Sequence, residues 1–261
     1  MDTVQPVVTV ADEKERDLIR FSSLSRYLIA LSKSLDPRIR LTSKALAIIE
    51  LLIWDTASAL MEIANVSATN DHRITMLPRD IELAVKVLLP GELKKTVPQA
   101  MTHALLQFFT AQEERSKKGP SAKRKTHSEI AGLILPIARV DKMMRMYLAT
   151  HSTEVIRLGS YAALFLTVTL ENLAAKIIQI SDDEVVKDER ELIQPRDILR
   201  ALQGDKDLQT IFNCAITEKI REQIQASAIP KQAKKKAGGK KTGGKKALQS
   251  AKPRSKASKS K

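Results

Sequence analysis

Arg40 and Arg157 are the side chains of this sequence whose positions most favour phosphate chemistry. Each arginine stands between an isoleucine and a leucine, and a long apolar run with helical spacing begins a few residues later. The first turn of a helix presents backbone N–H groups without partners, and such groups bind phosphate readily. An arginine at this place can also enter a narrowed minor groove of duplex DNA. The pattern therefore predicts two matched nucleic-acid contacts, and the alternative is a pair of solvated loop arginines.

Side chains that carry catalysis or bind metals form no recognisable constellation. Gly239–Lys245 has the spacing of a phosphate loop, but Lys246 follows where Ser or Thr is required, and no strand precedes it. Cys214 is the single cysteine, which excludes an internal disulfide. The histidines lack the paired spacing of a metal site: His72, His103, His127 and His151. We therefore expect no enzyme activity, no cofactor, no metal and no small-molecule ligand.

The chain contains two copies of one module. The segments IRLTSKALAIIE and PRDIELAVK begin at Ile39 and Pro78, and IRLGSYAALFLT and PRDILRALQ begin at Ile156 and Pro195. Both matches have the same offset of 117 positions, which indicates an internal duplication. Each copy is predicted to hold a short, a long and a short helix: Leu24–Leu35, Thr42–Asn70 and Leu77–Leu89, then Pro136–Leu148, Ser160–Ser181 and Pro195–Gln203.

The two long helices are apolar on nearly every side. Two short neighbours cannot cover such a helix, so it needs a second module across it. We therefore predict an all-α fold in which the two modules pair within one chain. Gly119 and Pro120 mark a linker between them. The predicted boundaries are an N-terminal tail at 1–21, modules at 22–112 and 128–229, a linker at 113–127, and a Lys-rich disordered tail at 230–261.

The net charge of +14 is concentrated at the C-terminal end. Lys231 to Lys261 contain 13 lysines and arginines and no acid, while the rest of the chain is nearly neutral. Such a block releases counterions when it meets phosphates, so we predict a polyanion-binding arm; the alternative is a solubilising disordered end. Aromatic residues are 3% of the chain, which argues against platforms that stack single-stranded bases. The longest apolar stretch, Tyr161–Leu170, is too short for a membrane span, and we expect no membrane partner.

The order and spacing of the longer motifs are specific. Two of them, Asp36–Ile49 (DPRIRLTSKALAII) and Ala84–Lys95 (AVKVLLPGELKK), are similar to histone 2B. The later motifs are similar to histone 2A: Ile130–Arg145, Ile156–Ile178, Leu192–Leu202 and Gly204–Phe212. The resemblance implies two histone folds in tandem that form an intramolecular handshake heterodimer. This arrangement resembles the fused histone 2B–2A doublets of giant DNA viruses of the Marseillevirus type.

The resemblance also gives a reason for the turn at Pro90-Gly91, which would end one helix and start an additional C-terminal helix. Pro98 is predicted to kink that helix, because proline removes an interior hydrogen bond. Its apolar residues fall at helical spacing on one side: Leu93, Val97, Met101, Leu105 and Phe108.

Several charged side chains receive roles from the resemblance. Arg73 with Asp80, and Arg190 with Asp197, would each clamp the loop before the third helix of a module; the alternative is exposed pairs of little effect. The predicted DNA contacts lie in loops, helix starts and the linker: Arg38, Arg40, Lys44, Arg73, Thr75, Arg79, Lys123, Arg124, Lys125, Arg139, Arg157 and Arg196.

An acidic surface that recruits partner proteins is also implied, in a diluted form. Glu92, Glu171, Asp205 and Asp207 match it, whereas other residues stand where acids are expected: Lys176, Gln179, Ala100 and Lys206. Leu192 stands in place of a DNA-facing arginine of histone 2A, so this chain departs from the family at a DNA contact as well.

Together these features predict a protein that bends and packages duplex DNA without reading its sequence. Histone 3- and 4-like proteins, such as a second viral doublet, would be its partners in nucleosome-like particles. The viral resemblance implies the viral factory and virion, or the host nucleus, as its location. The alternative function is a histone-fold subunit of a transcription or assembly complex that acts mainly through protein contacts and needs no basic tail.

Overall fold

The structure is a computed structural model that describes residues 23–118, 125–152, 154–155 and 157–212. Both predicted tails, Cys214, Lys123 and Arg124 lie outside these residues. The described part contains nine helices: α1 Ser25–Leu35, α2 Ser43–Asn70, α3 Pro78–Leu88, α4 Leu93–Lys118, α5 His127–Ile130, α6 Ile137–His151, α7 Ala162–Lys187, α8 Pro195–Gly204 and α9 Lys206–Ile211. It also contains four two-residue strands: β1 Arg40–Leu41, β2 Thr75–Met76, β3 Arg157–Leu158 and β4 Leu192–Ile193.

The long helices α2 and α7 form the centre of the core. Helix α2 begins after Thr42, whose Oγ1 accepts a hydrogen bond from the Ala45 N–H at 3.1 Å. Helix α7 is long and apolar enough to cross a bilayer by length and composition alone. However, 67% of its most apolar window is buried inside the structure. This burial is typical of a core helix that other helices surround.

The two modules interlock rather than fold side by side. Helix α2 packs on α7 and α8, and α7 packs in addition on α1, α3 and α4. Strand β1 pairs in parallel with β4, and β2 with β3. The loop before each long helix therefore joins the loop after the other one. The predicted fold class, two histone folds in tandem that pair within one chain, is confirmed.

The turn at Pro90-Gly91 directs α4 onto the second module. Gly91 has a φ of 53°, and a side chain there would displace the Asp207 carboxylate, so glycine is favoured at this position. Helix α4 then packs along α7. The five apolar residues predicted to share one face are buried or packed against the core: Leu93, Val97, Met101, Leu105 and Phe108. The added helix therefore covers the other half of the same chain.

Three helices are longer than predicted. Helix α4 runs to Lys118, into the predicted linker, because neither glycine nor proline occurs between Pro98 and Gly119. Pro98 lies inside α4, and the helix continues through it. Helix α7 ends at Lys187 rather than Ser181, and helix α6 ends at His151 rather than Leu148. The added residues of α4 and α6 are mostly polar, whereas the extension of α7 includes the buried Val185.

Gly159 lies against the backbone of the first module. Its N–H donates to the Met76 carbonyl at 2.8 Å, and a Cβ atom there would lie 2.9 Å from the same oxygen. We expect Gly159→Ala to lower the free energy of unfolding by about 1–3 kcal/mol, because the β2–β3 pair must shift to relieve this contact. Gly204→Ala is the control, since nothing lies within 4 Å of a Cβ atom at that position. Equal urea midpoints for the two variants would contradict this expectation.

Candidate nucleic-acid interface

The two strand pairs place the predicted phosphate contacts at opposite ends of the long helices. The β1–β4 pair, which aligns Arg40 with Leu192, is called the first edge. The β2–β3 pair, which aligns Thr75 with Arg157, is called the second edge. Strand β1 precedes α2 and β2 follows it, so the 28 residues of α2 separate the two edges. This length corresponds to about 42 Å at a rise of 1.5 Å per residue.

Arg40 and Arg157 are both exposed on backbone that the opposite module holds in place. The side chain of Arg40 is 72% exposed, and Arg157 is exposed as well. At the first edge, the Thr42 N–H and Oγ1 both donate to the Ile193 carbonyl at 3.2 Å. At the second edge, the Arg157 N–H donates to the Ile74 carbonyl at 3.0 Å. The pairing of the modules therefore presents each arginine in a fixed position, as phosphate contacts require.

Arg73, next to the second edge, uses all five of its guanidinium N–H groups within the fold. It donates to Asp80 at 2.6 and 2.8 Å, to Asp71 at 2.8 and 3.2 Å, and to the Thr75 carbonyl at 3.2 Å. Asp80 is buried and also accepts from the Leu77 N–H at 2.7 Å. This geometry makes Arg73 a positioning residue and leaves it no N–H for a phosphate, in contrast to its place among the predicted DNA contacts.

The electrostatics of Asp80 follow from these contacts. Burial alone would raise the pKa of its carboxyl group. The hydrogen bonds from Arg73 and the Leu77 N–H outweigh burial and hold the pKa below its ordinary value. Asp80 in turn raises the pKa of Arg73. The pair is therefore charged at neutral pH.

The matching contact in the second module has fewer hydrogen bonds. Arg190 donates to Asp197 at 2.6 and 3.1 Å and to Asp188 at 2.8 Å. The Gln194 N–H donates to Asp197 at 2.8 Å, as its counterpart does in the first module. The buried Nε of Arg190 has no hydrogen-bond partner in the described part of the chain. The loop at the first edge is therefore held less completely than the loop at the second.

Three further predicted DNA contacts are arginines that already face a carboxylate. Arg38 is 90% exposed, and its Nη2 lies 2.7 Å from Asp36. Arg79 is 64% exposed and lies 3.5 Å from Asp71. Arg196 is 53% exposed and lies 3.7 Å from the buried Asp197. A phosphate has to compete with these acids for the arginines.

The remaining predicted contacts differ in position. Lys44 is exposed in the first turn of α2, and Lys125 is exposed just before α5. Thr75 is half-buried at the second edge, opposite Arg157. Thr75 therefore lies at the second edge beside Arg157, whereas Lys44 and Lys125 lie outside the two strand pairs.

Arg139 forms a contact between the modules that its position in the sequence does not suggest. Its Nη1 donates to the Ser23 carbonyl, and its guanidinium lies 5.2 Å from the centre of the Tyr27 ring. The guanidinium of Arg26 lies 5.8 Å from the same ring. Tyr27 is thus a cation–π partner for both arginines. No spacing rule joins Tyr27 to Arg139, because the two residues belong to different modules.

The carboxylates predicted to form a diluted acidic surface are largely engaged in internal contacts. Lys176 Nζ lies 3.0 Å from Asp207 and 3.6 Å from Asp205, and it lowers the pKa of Asp207. Glu171 accepts hydrogen bonds from the Ile134 and Leu135 N–H groups at 2.9 and 2.8 Å. Burial raises the pKa of Glu171 despite these bonds. Of the four predicted acids, Glu92 alone is exposed.

Some peptides bind an acidic surface by placing an arginine beside its carboxylates. We expect such peptides to bind this chain poorly. Lys176 occupies the place that the arginine of such a peptide would take beside Asp205 and Asp207. Lys176→Gln should therefore strengthen binding of such a peptide by roughly tenfold, as measured by calorimetry. Lys206→Gln removes the same charge from an exposed neighbour and is the control. An equal gain in both variants would show a general charge effect instead.

Comparison with known proteins places the sequence near two kinds of histone. No protein-family model matches the chain. It is 26% identical to histone 2B.v1 of Dictyostelium discoideum over 194 residues, which cover 73% of this chain and 85% of that protein. It is 31% identical to histone 2A.Z of Lodderomyces elongisporus over 125 residues, or 47% of this chain and 91% of that protein. The histone 2A.Z of Saccharomyces cerevisiae is 31% identical over 101 residues, or 39% of this chain and 72% of that protein.

Proposed function

Because this chain belongs to the histone family, we propose that it packages duplex DNA as a fused histone 2B–2A pair and bends the duplex without reading its sequence. The observation that carries this proposal is the pair of edges, each with one matched and exposed arginine. Phosphate and minor-groove contacts of this kind depend on the shape and charge of the duplex rather than on its bases. We propose no catalytic role.

Bending requires contacts in addition to the two edges, because a straight duplex can touch two points. A duplex that contacts both Arg40 and Arg157 spans about 42 Å, the length of α2. That distance is about twelve base pairs at 3.4 Å per pair, which is far below the persistence length of duplex DNA. Several contacts are therefore needed to offset the bending energy. Arg139, the helix N-termini and the lysine-rich tail are the proposed additional contacts.

An exposed apolar face on α3 supports a partner of histone 3 or 4 type. Leu83 and Val87 are one helical turn apart, and their side chains are 45% and 65% exposed. The matching positions in the second module hold Arg200 and Gly204, so only the first module has this apolar pair. A partner helix with an apolar stripe would cover the face and remove it from water. A second histone doublet is the partner that we propose.

The proposed location follows the proposed role in packaging. A histone acts where DNA is stored, which for this chain means a nucleus or, for a viral doublet, the viral factory and virion. The order of the modules resembles that of the fused doublets of the giant-virus type. None of the three relatives named above is viral, so the viral origin stays a prediction.

Nuclease digestion tests this function directly. The full-length chain is mixed with histones 3 and 4 and a long duplex, and the protected fragments are sized. Packaging predicts a protected fragment of about a hundred base pairs or more. A subunit that acts only through protein contacts would bind the partner without enlarging the fragment that histones 3 and 4 protect by themselves. Leu83→Ser with Val87→Ser tests the partner contact, because it removes the apolar face without adding charge. It should abolish the enlarged protection and leave binding to naked DNA intact.

A further inference from the structure

We propose that the two edges bind DNA unequally, and that Glu191 is the residue that weakens the first edge. This inference rests on the proposed function and concerns how that function is divided over the surface. Its basis is a comparison of positions that are matched by the repeat but differ in charge.

The repeat makes the two edges directly comparable. An offset of 117 positions matches Arg40 to Arg157, so each edge has one equivalent arginine. The same offset matches Ile74 to Glu191 and Thr75 to Leu192 on the opposing strands. The edges therefore share their arginine and differ in the residues that face it.

At the first edge a carboxylate competes with phosphate for the arginine. Glu191 Oε2 lies 3.9 Å from Arg40 Nη1, and the two side chains are 82% and 72% exposed. The carboxylate thus partly neutralises Arg40 and repels a phosphate that approaches it. Leu192 also offers no donor to a phosphate, and its side chain is 39% exposed. Arg38, the next arginine along this loop, is held by Asp36 at 2.7 Å.

At the second edge, the described residues place no such competitor beside the matched arginine. Among the residues that the structure describes, no carboxylate forms an ion pair with Arg157. Ile74, which replaces the acid, is 52% exposed and carries no charge. Thr75 supplies a hydroxyl group where the first edge has a leucine. The second edge is thus the stronger phosphate site on both charge and hydrogen-bonding grounds.

The two edges therefore hold DNA with different strength. The duplex is anchored at the second edge, and the first edge releases it first as the salt concentration rises. Glu191 is the part of this asymmetry that one substitution can test, because the matched position at the second edge holds the uncharged Ile74. Glu191→Gln strengthens the first edge, and Ile74→Glu gives the second edge the acid that weakens the first.

The experiment measures the affinity of the full-length variants for a short duplex over a range of salt concentrations. We expect Arg157→Ala to weaken binding about threefold more than Arg40→Ala does. Glu191→Gln should strengthen binding about threefold, and Ile74→Glu should weaken it by a similar factor. The dependence of log K on log salt should become steeper by up to about 0.9 in Glu191→Gln, because one more phosphate contact forms. Glu113→Gln removes one exposed acid outside both edges and is the control.

A double-mutant comparison gives the decisive result. In the Glu191→Gln background, Arg40→Ala should cost more affinity than it does in the wild-type background, and the cost should approach that of Arg157→Ala. If the two arginine variants are equally weak in the wild-type background, or if Glu191→Gln has no more effect than Glu113→Gln, the inequality is wrong while DNA packaging stands. If the wild-type chain does not bind duplex DNA, the proposed function itself fails, and this inference fails with it.

Discussion

Asp80→Ala is expected to lower the free energy of unfolding by about 3 kcal/mol, the cost of leaving one partner of a buried ion pair uncompensated. Asp80 is 2% exposed and receives three hydrogen bonds from Arg73 and the Leu77 N–H. Its loss leaves Arg73, which is 18% exposed, with a charge that only Asp71 then faces. Urea unfolding followed by circular dichroism measures the change. Hydrogen exchange of residues 71–77 should report the loosening of the loop.

The same carboxylate predicts how stability depends on pH. The pKa of Asp80 in the folded chain lies below its ordinary value of 3.8. Its ionised form therefore stabilises the fold above that pH, and the stabilisation is lost as the pH falls through the folded value. Asp80→Asn cannot titrate. The difference in stability between the wild type and this variant should consequently be constant near neutrality and shrink below about pH 4.

Asp141→Ala is the control for the loss of an acid. Asp141 forms an ion pair with Arg145 at 2.9 Å on one helix, and the two side chains are 35% and 60% exposed. Loss of such a surface pair should cost about 0.5 kcal/mol or less. If Asp80→Ala and Asp141→Ala have the same urea midpoint, the contact between Arg73 and Asp80 does not stabilise the fold. Asp197→Ala tests the matching contact of the second module.

Replacement of both Arg40 and Arg157 by alanine should weaken duplex binding by at least about tenfold at physiological salt. Each arginine is exposed on a loop that the other module holds in place, and a phosphate can reach both, although at Arg40 it competes with Glu191. The slope of log K against log salt should become shallower by about 0.9 for every phosphate that the variant no longer neutralises. Fluorescence anisotropy at four or more salt concentrations measures both quantities. Binding should weaken equally for duplexes of unrelated sequence, because no base is read.

A variant that loses the same charge elsewhere on the surface distinguishes direct phosphate contacts at the edges from a general electrostatic effect. Lys94 and Lys95 are exposed at the start of α4, outside both edges. Their double replacement by alanine removes two positive charges and should change the affinity much less. If the arginine and lysine variants weaken binding equally, Arg40 and Arg157 are not specific contacts.

Much of the local structure could be predicted from residue types alone. Helix α2 begins within one residue of its predicted start, with Thr42 as its cap, and it ends at Asn70 as predicted. Pro78 and Pro195 begin the third helix of each module, since proline is well suited to the first turn. The helix ends predicted at Ser181 and before Lys118 fall too early. The residues at the end of α4 are polar, and polar residues extend a helix without adding to its apolar pattern, so periodicity underestimates its length. In α7, three acids interrupt the apolar pattern before the buried Val185.

The site was less predictable than the fold, as Arg73 illustrates. Its sequence position suggests both a clamp and a DNA contact, and the structure shows that its N–H groups are all used internally. The sequence shows that Lys176 stands where the histone 2A pattern has an acid. Its pairing with Asp205 and Asp207 depends on the position of α9, which the sequence does not give. A side chain's type indicates which contacts are possible, and its surroundings decide which one forms.

Composition and one offset of 117 positions are enough to establish the two modules, their matched arginines and the need for the long helices to be covered. The folded chain is needed to see which loops join, that α4 covers α7, and that Glu191 lies beside Arg40. Those contacts join residues many positions apart, so they depend on how two apolar helices cross. The balance of charge at each edge is therefore a property of the paired modules and not of either one alone.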